Sequence, residues 1–162
     1  MSEPVTSIVT PIRLEYRTAA GRALTRYLRG IERGVFLGSR CPACGQVYVP
    51  LRETCPADGA PIDGEVELPD AGTITTFAVN NIPDPRAPEV PYVCASVLLD
   101  GADVEMFALV GGVPAADVRM GMRVRAVWRP REEWGPTMDN IRWFAPVGDA
   151  ADGGAADGDG HA

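Results

Sequence analysis

Three cysteines and one aspartate occupy a repeated frame in this chain. Cys41-Pro42-Ala43-Cys44-Gly45 is followed, after a ten-residue gap between Cys44 and Cys55, by Cys55-Pro56-Ala57-Asp58-Gly59. Each half is a knuckle, two possible metal ligands at x2 spacing and then a glycine. That glycine takes a backbone conformation that a Cβ would hinder, while nearby amides point at a thiolate. The spacing is close to that of a zinc ribbon, with Asp58 where a ribbon normally carries its fourth cysteine. Two readings follow. Asp58 completes a four-coordinate zinc site through a carboxylate oxygen, or the site is metal-free and leaves three buried thiols. A bound zinc would be structural, because three thiolates make it a poor Lewis acid and no His or Glu stands nearby to work with a bound water. Iron suits this set less well, since a rubredoxin-type centre prefers four thiolates.

Little else in the chain could run a reaction. Cys94 lies in Tyr92-Val-Cys-Ala-Ser-Val-Leu-Leu99, which reads as a strand with a buried thiol acting as a small apolar residue. A nucleophile needs a base beside it, and the single histidine is His161, in a Gly/Ala/Asp tail. This argues against Cys-His and Ser-His-Asp hydrolases. All 15 basic residues are Arg, which removes lysine-based covalent chemistry. No phosphate-binding or dinucleotide glycine fingerprint is present. Glu132 and Glu133 adjoin Trp134-Gly135-Pro136 in a loop and read as solvated acids.

These residues need a frame. A helix is expected from Thr18, as hydroxyl cap, to Gly34, with Ala20, Ala23, Leu24, Tyr27, Leu28 and Ile31 on its apolar face. Arg22, Arg26, Arg29 and Arg33 form a stripe beside that face. The stripe is either a solvated flank or a contact surface for an acidic partner or a phosphorylated ligand. Gln46-Val-Tyr-Val-Pro50 suits a short strand between the knuckles. From Glu65 the pattern turns to period two. Strands are expected at 72–79, 92–99, 104–110, 123–129 and 140–146, with a helical turn at 114–118 between the third and fourth. That is the strand order of an OB-fold barrel.

The fold class is therefore mainly β. An N-terminal arm and amphipathic helix (1–34) precede a rubredoxin-like zinc ribbon (35–64) and a five-stranded OB-fold (65–147), and a disordered acidic tail (148–162) follows. Charge narrows the partners. Residues 1–34 carry six Arg against three acids, residues 35–147 nine Arg against fifteen acids, and the tail four Asp. An acidic barrel with only Arg86 and Tyr92 near its usual ligand face argues against nucleic acid. No apolar run reaches membrane-span length and no leader pattern opens the chain, so a cytoplasmic protein with reduced thiols is expected.

The chain resembles a family of acyl-CoA-associated proteins long catalogued as domain of unknown function 35. The matching residues are the helix leading into Arg40-Cys41-Pro-Ala-Cys44-Gly45, Val49-Pro50, Cys55-Pro56, Gly72-Thr-Ile-Thr-Thr-Phe77, Pro91-Tyr-Val93, and Val118-Arg-Met-Gly-Met-Arg-Val124. The resemblance spans about residues 15–147. It implies a non-catalytic accessory subunit of a thiolase-fold enzyme: a thiolase, an acyltransferase, or a lipid-transfer-protein-like aldolase that shortens steroid side chains as CoA thioesters. The partner would hold the catalytic groups, and the small subunit would stabilise it, share its CoA thioester substrate and help shape the CoA channel. The family's metal positions fall on Cys41, Cys44 and Cys55, and its fourth on Asp58. The alternative is a stand-alone acyl-CoA or nucleic-acid binding OB-fold module.

Overall fold

The computed structural model describes residues 4–9, 17–84 and 89–147. The acidic tail, His161, Arg86 and part of the N-terminal arm lie outside the described residues. Helix α1 spans Gly21–Arg33 and ends on Gly34, in the left-handed region at φ 84°, where Gly34 N–H reaches Ile31 C=O and Val35 N–H reaches Gly30 C=O. This is the paired C-terminal closure expected of a glycine stop. The expected start at Thr18 is corrected: Ala20 stands at the N-cap, no side chain caps the helix, and Thr18 precedes it in an exposed coil. The chain enters through Gly21 at φ 64°, and that kink sets where helical geometry begins. Tyr27 and Ile31 are buried, with Ala23 and Leu28 packed beside them. Leu24, expected on the apolar face, is 39% exposed.

Strands β1 (Phe36–Arg40), β2 (Val47–Tyr48) and β3 (Val66–Leu68) form a three-stranded antiparallel sheet in the order β2-β1-β3. This sheet runs across the 64–65 boundary, since β3 pairs with β1 at Phe36↔Leu68. Strands β4 (Ala71–Asn80), β5 (Tyr92–Leu99), β6 (Met106–Val110), β7 (Arg123–Trp128) and β8 (Ile141–Pro146) close a barrel in the order β4-β5-β6-β8-β7. A 3₁₀ turn, Ala115–Asp117, sits between β6 and β7. The alternation that suggested the strands is visible in β5, where Val93, Ala95, Val97 and Leu99 point into the barrel and are buried.

One apolar core joins all three parts. Tyr27 and Ile31 of α1, Phe36 and Val47 of the small sheet, and Ile74, Val97, Val124 and Phe144 of the barrel belong to it. Phe36 is the hinge of this packing, with ring centroids 5.5 Å from Trp128 and 6.2 Å from Phe144. Tilted pairs at such distances suit the aromatic quadrupole. Asn140, 1% exposed, ties helix to barrel, its Nδ2 donating to Ile31 C=O at 3.3 Å and to Gly135 C=O at 2.8 Å. The knuckles stand outside this core, around a small separate cluster of Cys41, Tyr48, Cys55 and Ile62.

Candidate metal centre

The two knuckles are built alike. Cys41 N–H donates to Gln46 C=O at 2.9 Å and Gly45 N–H to Cys41 C=O at 3.0 Å. In the second knuckle Cys55 N–H donates to Ala60 C=O at 2.9 Å and Gly59 N–H to Cys55 C=O at 2.9 Å. Gly45 and Gly59 occupy the left-handed region at φ 78° and 75°. In both turns the residue two beyond the second ligand aims its amide back at that ligand. The Gln46 amide bonds the Cys44 sulfur, and the Ala60 amide reaches Asp58 Oδ1 at 2.8 Å. Asp58 thus takes the hydrogen bond that a thiolate takes in the first knuckle, which leaves Oδ2 facing the cysteines.

The ligand atoms of Cys41, Cys44, Cys55 and Asp58 lie within 4.8 Å of one another. Asp58 Oδ2 stands 3.4 Å from Cys41 Sγ, and Cys44 Sγ stands 3.7 Å from Cys55 Sγ. A tetrahedron with arms of about 2.3 Å to sulfur has edges of roughly 3.8 Å. The donor set and its spacing therefore fit zinc. Cys41 and Cys55 are buried, while Cys44 and Asp58 face solvent.

Protonation behaviour agrees with a site shaped for a cation. The Cys44 thiol is pushed up to about 11: the Gln46 amide lowers it, but desolvation and the neighbouring Cys41, Cys55 and Asp58 together raise it more. Desolvation also raises Cys55, yet hydrogen bonds from Tyr48 and from the Asp58 and Ala57 amides outweigh it and hold that thiol below its ordinary value. The Ala60 amide, chiefly, holds the Asp58 carboxyl below the usual carboxylate range. Acidic groups crowd here, and a divalent ion would take the place of the protons they hold. Tyr48 Oη lies 2.6 Å from Gln46 Oε1 and 3.3 Å from Cys55 Sγ. Tyr48 and Gln46 are supporting residues that the knuckle spacing did not reveal.

The arginine stripe is mostly engaged within the chain. Arg22 Nε reaches Glu53 at 2.9 Å, Arg26 pairs with Glu65 and reaches Asp63 C=O at 3.3 Å, and Arg29 pairs with Glu32 at 2.7 Å. Three of these bonds, one from Arg22 and two from Arg26, clasp the helix to the segment 53–65. Arg33 is exposed in the last helical turn. Cys94 differs from expectation: it is half-buried and lies on the outer face of β5, at a cleft. Desolvation, then the Asp84 charge, raises its thiol above the ordinary value, so it is no activated nucleophile.

Two family models cover this architecture: the rubredoxin-like zinc ribbon domain of ChsH2 at residues 29–63, and the C-terminal OB-fold domain of ChsH2 at residues 65–129. A DUF35 domain-containing scaffold protein of Methanocaldococcus jannaschii is 35% identical over 106 residues, covering 64% of this chain and 74% of that protein. The chain belongs to the DUF35 family. Solved structures share the fold of this DUF35 protein. The Ltp2-ChsH2(DUF35) aldolase matches at TM-score 0.61 and 24% identity, over 80% of this chain and 98% of that one. A DUF35 protein of unknown function from Sulfolobus solfataricus matches at TM-score 0.55 and 20% identity, over 66% and 78%. No described helix is long and apolar enough to cross a membrane.

Proposed function

We propose that this chain is a non-catalytic accessory subunit of a thiolase-fold acyl-CoA enzyme, a retro-aldolase of steroid side-chain degradation or a thiolase. It stabilises that enzyme and helps form its CoA and substrate channel. The observation that carries the reading is the chemistry of the one ligand cluster among the described residues. Cys41, Cys44, Cys55 and Asp58 supply four ligands at tetrahedral spacing, a closed set that suits a structural zinc with no open position. Cys94, the other thiol, has a raised pKa and the described residues hold no histidine to activate it. The naming of a DUF35 relative as a scaffold protein, and of another as part of an aldolase, supports the same reading. Within the arginine stripe, Arg33 is the member placed to meet partner acids or CoA phosphates, because Arg22, Arg26 and Arg29 already face carboxylates of this chain.

The test is assembly in the protein's own host. A tagged chain should co-elute at defined stoichiometry with a thiolase-fold or lipid-transfer-protein-like subunit. A chain recovered as a free monomer from such extracts would overturn the reading.

A further inference from the structure

The barrel is closed unevenly. β5 and β6 pair along their length, from Val97↔Met106 to Val93↔Val110, and β7 and β8 pair from Trp128↔Ile141 to Val124↔Pro146. The parallel pair β6 and β8 meets at one register position, Val110↔Phe144, where Gly111 N–H donates to Phe144 C=O at 3.0 Å. The ladder does not continue to Ala108 and Arg142. Backbone groups alternate sides along a strand. The side of β6 that carries the Gly111 amide therefore also carries the N–H and C=O of Phe107. β8 bulges at Arg142, since its register with β7 steps from Val127↔Trp143 directly to Trp128↔Ile141, so Arg142 is the residue that the β7 ladder leaves out at the seam.

A cleft of about 730 Å³ opens along this seam, with Cys94, Met106, Phe107, Ile141, Arg142 and Trp143 in its walls. Aromatic and apolar side chains mix there with charged ones, Asp84, Arg129 and Asp139 besides Arg142. Phe107 is 74% exposed, a large aromatic surface left in water at the rim. The Arg142 guanidinium stacks on Trp143 at 4.1 Å, a rigid platform with a positive charge on it. Aromatic residues and arginine are the side chains that anchor protein interfaces. Arg129, also in the wall, is held by Asp139 C=O at 2.7 Å and by Glu133.

We infer that this seam is a docking slot for an extended segment of the partner enzyme subunit, which adds as a strand against Phe107 and Arg142. Only a polypeptide backbone offers donors and acceptors at the repeat of a strand edge, and side-chain pockets then select the sequence. The segment would carry an apolar residue over Phe107 and a carboxylate beside Arg142. This inference rests on the accessory-subunit reading and names the surface that reading requires.

Hydrogen exchange on the co-purified complex tests it. The seam-facing amides of β6, those of Phe107 and Leu109, should slow at least about tenfold on assembly, and Phe107→Ala and Arg142→Glu should each weaken association about tenfold or more with an unchanged Tm. A complex that forms without slowing these amides, or that both variants form normally, overturns the slot and leaves the accessory reading standing. Absence of any complex overturns both. Slowing that appears in the free chain as its concentration rises would assign the seam to self-association and overturn the partner segment.

Discussion

Asp58 distinguishes this ribbon from one closed by four thiolates, and the structure explains how a shorter, harder ligand can serve. Its Oδ1 is fixed by the Ala60 amide, so Oδ2 is aimed at the cysteines without needing the reach of sulfur. Asp58→Ala is expected to drop zinc content well below one ion per chain, while Asp58→Cys retains it; elemental analysis of matched preparations decides, and equal zinc in wild type and Asp58→Ala would remove the carboxylate from the ligand set. Tyr27 poses a different question. Its hydroxyl is buried in the core with no hydrogen-bond partner, and desolvation pushes its pKa above the ordinary tyrosine range. Removing an unpaired buried hydroxyl relieves a desolvation cost. Tyr27→Phe should leave stability unchanged or raise it by about 1 kcal/mol in urea unfolding; a clear loss would contradict this packing. The Arg123–Asp100 pair, at 2.6–2.7 Å, is nearly half exposed on both sides and so contributes at most about 1 kcal/mol. Bonding to Arg123, more than its charge, holds the Asp100 carboxyl below its usual value. Its contribution is therefore present above the unfolded carboxyl pKa of about 4 and lost as pH falls through the folded value. Asp100→Asn should cost stability at neutral pH and converge with wild type in acid. A gap between their urea midpoints that persists in acid would show that the pair is not its source.

At the scale of elements, Asn140 shows what sequence pattern cannot reach. It lies 109 residues from Ile31, whose carbonyl it bonds, and only the folded chain brings the two together. Asn140→Ala removes its hydrogen bonds to Ile31 C=O, to Gly135 C=O and from Gly135 N–H, so a loss of roughly 2–3 kcal/mol is expected; urea unfolding would measure it, and a neutral result would show that water replaces the amide. The barrel strands were legible because one face of each meets the core and the other meets solvent, as in Tyr92–Leu99, where expected and observed bounds coincide. Strand β1 was not. Phe36, Leu37, Gly38 and Ser39 are all buried, since the strand lies between neighbours on both edges and beneath α1, and no alternation marks it. β3 has only three residues, too few for a pattern. The knuckles were legible because ligand spacing is local. The partners of the arginine stripe were not, since Glu53 and Glu65 lie 31 and 39 residues from Arg22 and Arg26.

The whole molecule reads as a device for holding surfaces in register. One core binds helix, small sheet and barrel, and the ribbon tip is fastened to that body at two places. Arg22 and Arg26 hold it from the helix side. Asp103 holds it from the barrel side, accepting from Val47 N–H at 2.8 Å while its own amide donates to Val47 C=O at 2.9 Å. The knuckles have only a small apolar cluster of their own, and a bound ion would supply stability that so little buried area cannot. The central claim is dependence of a partner's chemistry on this chain. The direct measurement is turnover of an acyl-CoA thioester by the co-purified enzyme subunit, assayed alone and after this chain is added back at equal stoichiometry. The account predicts little activity from the subunit alone and recovery on addition, with none from this chain by itself. Full activity of the isolated subunit, unchanged on addition, would contradict it.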